Sequence, residues 1–272
     1  MKTRAITGFF FIIVMLASVL LGPITFGAFY LILSLLCLYE FFSLIKQGSA
    51  SPVIISGLLL GLIVYLVFYV VSQSDNDPPT NEFYMLLVPG LGILFIQELF
   101  RKTETPFANI AYTIMGSVFI VLPFSCFVAL AYVNKYSGFN FHFPLAFLVM
   151  LWSNDTGAYL TGMGFGRHKL FERHSPKKTW EGFIGGVVIA AGVGLIISRF
   201  YTELPAIEWA VMGAIIGIVG TMGDLVESMF KRSINVKDSG SILPGHGGLL
   251  DRFDGLFLAV PVVYTYLYLI TN

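Results

Sequence analysis

The chain has 272 residues, 56% of them hydrophobic and only 12% charged, with a mean hydropathy of +0.81 and a formal net charge of zero. This composition is too apolar for a soluble domain of this size, and the balanced charge by itself selects no partner. No nucleic-acid partner is expected, and Cys37 and Cys126 sit inside apolar runs, which predicts two small core residues rather than a disulfide or a metal site.

Apolar runs long enough to cross a bilayer recur at about 5–21, 24–45, 52–72, 83–99, 108–133, 144–164, 182–201, 206–230 and 254–271. They predict an all-α polytopic membrane protein with about nine transmembrane helices. The first run follows MKTR, as a secretory signal would. Its apolar stretch is long, however, no small-x-small cleavage site follows, and Gly22-Pro23 reads as a tight hairpin, so it is expected to remain as a span. With the N-terminus cytoplasmic, every second loop returns to the same side. That side then holds Lys2, Arg4, Lys46, Arg101, Lys102, Arg167, Lys169, Arg173, Lys177, Lys178, Lys231, Arg232, Lys237 and Arg252, which is 14 of the 16 Lys and Arg residues. Only Lys135 and Arg199 fall outside, and the opposite loop SQSDNDPPTNE has no basic residue. The asymmetry supports both the span count and the orientation.

The chain divides by character into an N-terminal transmembrane scaffold, residues 1–143, and a C-terminal transmembrane catalytic region, residues 144–272. In the first, Glu40 and Glu98 fall near cytoplasmic ends of their spans, where they are expected to stay hydrated. In the second, Asp155 lies within the sixth span in the run WSNDTGAY. An ionised carboxylate among hydrocarbon costs about 2.5–3.5 kcal/mol on insertion scales, so it needs a partner or a water-filled cavity.

The loop GFGRHKLFERHSPKKTWEG follows, at 164–182. Ser175-Pro176 reads as an N-cap and first-turn pair, which places Lys177 and Lys178 in the first turn of a helix. Cations are unfavourable there unless an anion is bound, so the run reads as a phosphate or triphosphate site. His168 and His174 lack the company of a metal cluster and read as loop residues.

The eighth span ends in GTMGDLVESMFKR. Asp224, Ser228 and Lys231 recur at i, i+4 and i+7 on one helix face, with Glu227 beside them and placed to pair with Lys231. Beyond it, KDSG and LPGHGG form a polar loop in which glycine permits close backbone approach to a bound group. Asp251, Arg252 and Asp254 open the last span. Mg²⁺ takes hard oxygen ligands, usually one or two carboxylates plus phosphate oxygens and water. Asp224, Asp251 and Asp254 are the candidate metal ligands, and Arg252 suits bidentate phosphate binding. The Walker A pattern is absent.

Residues 228–254 resemble the signature of the CDP-diacylglycerol synthases, also called phosphatidate cytidylyltransferases. Ser228, Lys231, Arg232, Lys237, Asp238, Gly240, Leu243, Pro244, His246, Gly247, Gly248, Asp251, Arg252 and Asp254 fill that pattern without departure. Asp155 and the Ser175–Thr179 run also fit, and the length and span count suit the bacterial members. The resemblance implies the reaction of CTP with phosphatidate to give CDP-diacylglycerol and pyrophosphate. It also implies a requirement for Mg²⁺ and a homodimer of multi-pass subunits in the cell (inner) membrane, with the active site facing the cytoplasm. Whether a second, monovalent cation joins the Mg²⁺ is left open.

On this reading Asp224, Asp251, Asp254, Lys231 and Arg252 are the catalytic set. Ser175, Lys177, Lys178, Asp155, Ser228, Lys237 and His246 bind substrate, with His246 organising the Gly-rich loop. Two other classes fit part of the pattern. A CTP- or ATP-dependent lipid kinase needs similar residues, and a transporter or channel would use Asp155 and Asp224 as its pathway. The confinement of polar groups to one half and one face argues against the transporter.

Overall fold

The computed structural model describes residues 2–48, 50–73, 80–134, 138–240 and 247–271. Among these are nine long helices: α1 (Lys2–Leu20), α2 (Pro23–Ile45), α3 (Ile54–Gln73), α4 (Tyr84–Phe100), α5 (Pro106–Tyr132), α6 (His142–Phe165), α7 (Trp180–Ile197), α8 (Ala206–Ser233) and α9 (Asp254–Thr271). The all-α membrane class expected from the apolar runs is borne out. Six of the nine are long and apolar enough to cross a membrane: α2, α3, α5, α7, α8 and α9. Gly8–Leu20 and α4 are apolar but shorter. The 24-residue α6 has the length, but the polar run from Ser153 to Thr156 lowers its hydropathy.

The chain forms two compact units, residues 1–139 with 238–252, and residues 140–237 with 253–272. In the first unit, Gly22 has a φ of 102° and turns the chain between α1 and α2, where Pro23 opens the second helix without needing its missing N–H. Phe26 and Tyr30 of α2 pack on Phe127 of α5 with ring centroids 5.7 and 4.8 Å away. The Tyr65 hydroxyl of α3 donates to the Gly27 carbonyl at 2.7 Å. Helix α5 contains a π-turn at Ser117–Val121, just before Pro123. Proline cannot donate to the preceding turn and its ring crowds it, and the wider turn absorbs both effects.

Two acids of this unit differ from expectation. Glu40 and Glu98 are 4% and 2% exposed and are therefore not hydrated at helix ends. Glu98 accepts from Arg101 at 2.7 Å, from Thr103 at 2.6 Å and from Asn109 at 2.6 Å. Arg101 also donates to the Ser51 carbonyl and Asn109 accepts the Ser51 N–H, so the network ties the α4 end to the α2–α3 connection. A buried carboxylate is tolerated when its lone pairs are filled in this way.

The second unit is a run of neighbours, α6 on α7, α7 on α8 and α8 on α9. Lipid supplies no hydrophobic force between helices, so small residues that let backbones meet drive the packing. A Cβ at Gly213 of α8 would lie within 3.0 Å of the Ala190 carbonyl of α7, and one at Gly223 would be 2.6 Å from the Asp254 carbonyl of α9. Trp209 is wholly buried, stacks on Phe143 at 5.4 Å and donates its indole N–H to the Tyr201 carbonyl. Helix α8 is stopped just past Ser233 by Asn235, whose φ is 58°. The Asn235 N–H bonds to the Arg232 carbonyl and the Val236 N–H to the Lys231 carbonyl, a left-handed cap that stops the helix and starts the polar loop.

Candidate functional site

The segment between α6 and α7 is a two-stranded antiparallel ribbon, β1 (Lys169–Phe171) and β2 (Ser175–Thr179), with Lys169 opposite Thr179 and Phe171 opposite Ser175. This corrects the expected helix start at Ser175-Pro176. Thr179 is the N-cap, accepting the Gly182 N–H at 3.2 Å, and the acidic Glu181 occupies the first turn, as the helix dipole favours. Pro176 is accommodated because a two-stranded ribbon consists only of edges. Lys177 and Lys178 are thus strand residues, and the dipole argument for an anion at them falls away.

What those lysines do face is a cavity of about 410 Å³. It is lined by residues of α6, β1, β2, α7 and α8, all in the second unit. Its lining includes the polar residues Asp155, Lys177, Lys178, Thr179, Thr221 and Asp224 and the apolar residues Met163, Leu170 and Phe183. Lys178 forms an ion pair with Asp224, and Ser228 donates to the other Asp224 oxygen at 3.4 Å. Asn154, 2% exposed, donates to the Asp155 carboxylate at 3.3 Å and so fixes its orientation. Asp155, Lys177, Lys178 and Asp224 are brought together; Ser175 is not among the lining residues.

Lys231 forms an ion pair with the fully buried Glu227 at 2.7 Å, one turn apart on α8. Asp254, at the start of α9, is half-buried, accepts the Gly255 N–H at 2.7 Å and lies within electrostatic reach of Asp224, Glu227 and Asp155. Among the described residues no group of three or more His, Cys, Asp or Glu side chains is gathered to hold a metal. The oxygen-only donors Asp224 and Asp254, on the packed pair α8 and α9, nonetheless match what Mg²⁺ takes from a protein, one or two carboxylates.

The Gly-rich loop has its own geometry in the first unit. Asp251, in the turn Leu250–Arg252, accepts the Ser239 and Gly248 N–H groups on one carboxylate oxygen, both at 3.0 Å. Gly247, with a φ of 82°, lies against the same oxygen. Arg252 and Lys237 are exposed. His246 lies outside the described residues.

Sequence reasoning missed Glu40, which reaches this loop from α2 and accepts the Leu250 N–H at 2.7 Å. The signal was present, a carboxylate inside an apolar run, but not the partner 210 residues away.

The profile of the cytidylyltransferase family matches residues 2–270. The phosphatidate cytidylyltransferase of Staphylococcus haemolyticus is 33% identical over 265 residues, 97% of each chain. That of Bacillus subtilis is 33% identical over 267 residues, 97% of this chain and 96% of its own. That of Staphylococcus aureus is 34% identical over 269 residues, again 97% of each. The similarity extends from the signature loop through the N-terminal helices that the motifs alone left unassigned, and the chain belongs to the cytidylyltransferase family.

Proposed function

We propose that the chain transfers CMP from CTP to phosphatidate, giving CDP-diacylglycerol and pyrophosphate for phospholipid synthesis. The observation that carries this beyond family membership is a cavity whose lining combines paired lysines and carboxylates with Met163, Leu170 and Phe183. Such a lining suits a phosphate head group attached to acyl chains.

The nucleophile is a phosphate monoester, whose second pKa of about 6 leaves it largely dianionic at pH 7. A general base is therefore unnecessary. A phosphatidate oxygen attacks the α-phosphorus of CTP, the bond from that phosphorus to the bridging oxygen breaks, and pyrophosphate leaves with the electron pair. The protein's task is to hold two anions together in line and to offset their charge.

Lys177 and Lys178 hold phosphate oxygens, with Lys178 kept in place by Asp224. Asp155 orders the polar part of the lining, and Ser228 supports Asp224 and contacts phosphate. Asp224 and Asp254 would hold Mg²⁺, whose chemistry there would be to offset phosphate charge. Asp251 as a third ligand, and Arg252, Lys231, Lys237, His246 and Ser175 as phosphate or nucleotide contacts, rest on the signature. The same holds for the homodimer. The cell membrane is the proposed location and the cytoplasm the side from which CTP enters, supported by the bias of 14 of 16 basic residues to one side.

The test uses detergent-purified protein with phosphatidate and CTP labelled at the α- or γ-phosphate, with and without Mg²⁺ and chelator. Label from the α-position is expected in lipid and label from the γ-position in pyrophosphate. Transfer of the γ-label to lipid would instead make the protein a kinase.

A further inference from the structure

Glu40 is a carboxylate that the reaction described above does not use, yet it is 4% exposed inside an apolar helix. Among the described residues no Lys, Arg or His pairs with it. What it does hold is backbone. One oxygen accepts the N–H of Leu250, a fully buried residue that opens the Leu250–Arg252 turn. The other is buried against Ser239, Gly240 and Gly248. A Cβ at either glycine would lie within 3.0 Å of this carboxylate. The backbone at Gly240 and Gly248 is therefore fitted around the Glu40 side chain. On the loop's other side Asp251, next in sequence to Leu250, gathers the Ser239 and Gly248 N–H groups.

We infer that Glu40 is a positioning residue for nucleotidyl transfer: as an acceptor from α2 it fixes the turn at Leu250 and thereby aims Asp251 and seats Gly240 and Gly248. This rests on the cytidylyltransferase reading for its kinetic consequence but not for its structural one. A buried N–H left without an acceptor must find another, so losing Glu40 shifts the turn rather than merely loosening it. The feature needed is the acceptor oxygen, which a glutamine also supplies.

The experiment compares Glu40→Ala and Glu40→Gln in the full chain, purified in detergent, by steady-state kinetics and by hydrogen–deuterium exchange of the segment 247–256. Glu40→Ala is expected to lower kcat by about tenfold or more and to speed exchange in that segment. Glu40→Gln is expected to stay within about threefold of the parent in kcat, with exchange unchanged. Glu98→Gln, a buried carboxylate without contact to the loop, is the control and should lower thermal stability while leaving kcat and exchange of the segment as they are. If Glu40→Ala yields no folded protein, Gly240→Ala carries the test with Glu40 intact, since its methyl group meets only the Glu40 side chain and displaces that carboxylate. Parental kcat and exchange in Glu40→Ala, or equal impairment of the alanine and glutamine variants, would overturn the inference. A parent protein with no CTP-dependent activity would sink the functional reading alone, and the exchange measurement would still decide the role of Glu40.

Discussion

Lys178, on the second strand of the ribbon, forms an ion pair with Asp224, two-thirds of the way along α8. The pair joins a basic loop residue to an acid inside an otherwise apolar helix, and it lies on the wall of the cavity. The contact gives a carboxylate inside a spanning helix a partner and aims a lysine ammonium inward.

Lys178→Ala is therefore expected to reduce kcat/KM for CTP by about 10²-fold, the scale seen when one charge-stabilising donor is removed. Asp224→Asn should cost at least as much, because it releases Lys178 and weakens metal binding together. Initial rates at varied CTP measure both. Parental turnover in Asp224→Asn would rule out its assignment to the metal.

Chelation of Mg²⁺ is expected to abolish turnover and its re-addition to restore it. Asp254→Asn should raise the Mg²⁺ concentration for half-maximal rate by about tenfold, equivalent to about 1.4 kcal/mol of binding. Asp251→Asn calls for a separate readout, since Asp251 also fastens two loop N–H groups. If it acts only through the loop, its variant will show the exchange change expected of Glu40→Ala with an unaltered Mg²⁺ requirement.

Glu203, in the connection between α7 and α8, accepts from Asn140 at 3.1 Å and contacts His142. Its burial acts to raise the carboxyl pKa, but the hydrogen bonds from His142 and Asn140 outweigh it and hold the group below the ordinary glutamate range. A depressed carboxyl stabilises the fold above its unfolded pKa of about 4.3 and loses that contribution as pH falls through the folded value. Thermal unfolding of the parent should thus become easier below about pH 4.3, and Glu203→Gln should flatten that dependence. An identical pH profile in the two proteins would count against the contact.

Gly213→Val tests the helix packing of the second unit. The added side chain meets the Ala190 carbonyl within 3.0 Å, and overpacking of this kind costs about 1–3 kcal/mol. A lower unfolding temperature is expected, with the CTP dependence of the remaining folded enzyme unchanged.

The helices were legible because crossing a bilayer demands long apolar runs, and each long helix falls on one of them. Asp155, Lys177, Lys178 and Asp224 were legible as charges that an apolar chain does not carry without cause. The ribbon was not. Ser-Pro before a helix carries the same local signal whether it caps that helix or lies in the strand leading to it, and only the pairing of Lys169 with Thr179 decides between them. Nor was Glu40, since a carboxylate near a helix end looks solvated until the loop at 247–250 closes over it.

The membership of residues 238–252 in the first unit has a bearing on biosynthesis. A ribosome delivers 1–139 early, but the piece that meets Glu40 is made only after α8 has been synthesised. The first unit therefore waits, with a buried acid still lacking its acceptor role, while the whole middle of the chain is inserted. A nascent chain stalled before residue 238 should hold Glu40 in an unfinished setting, and termination between residues 238 and 252 would damage the unit assembled from the opposite end of the gene.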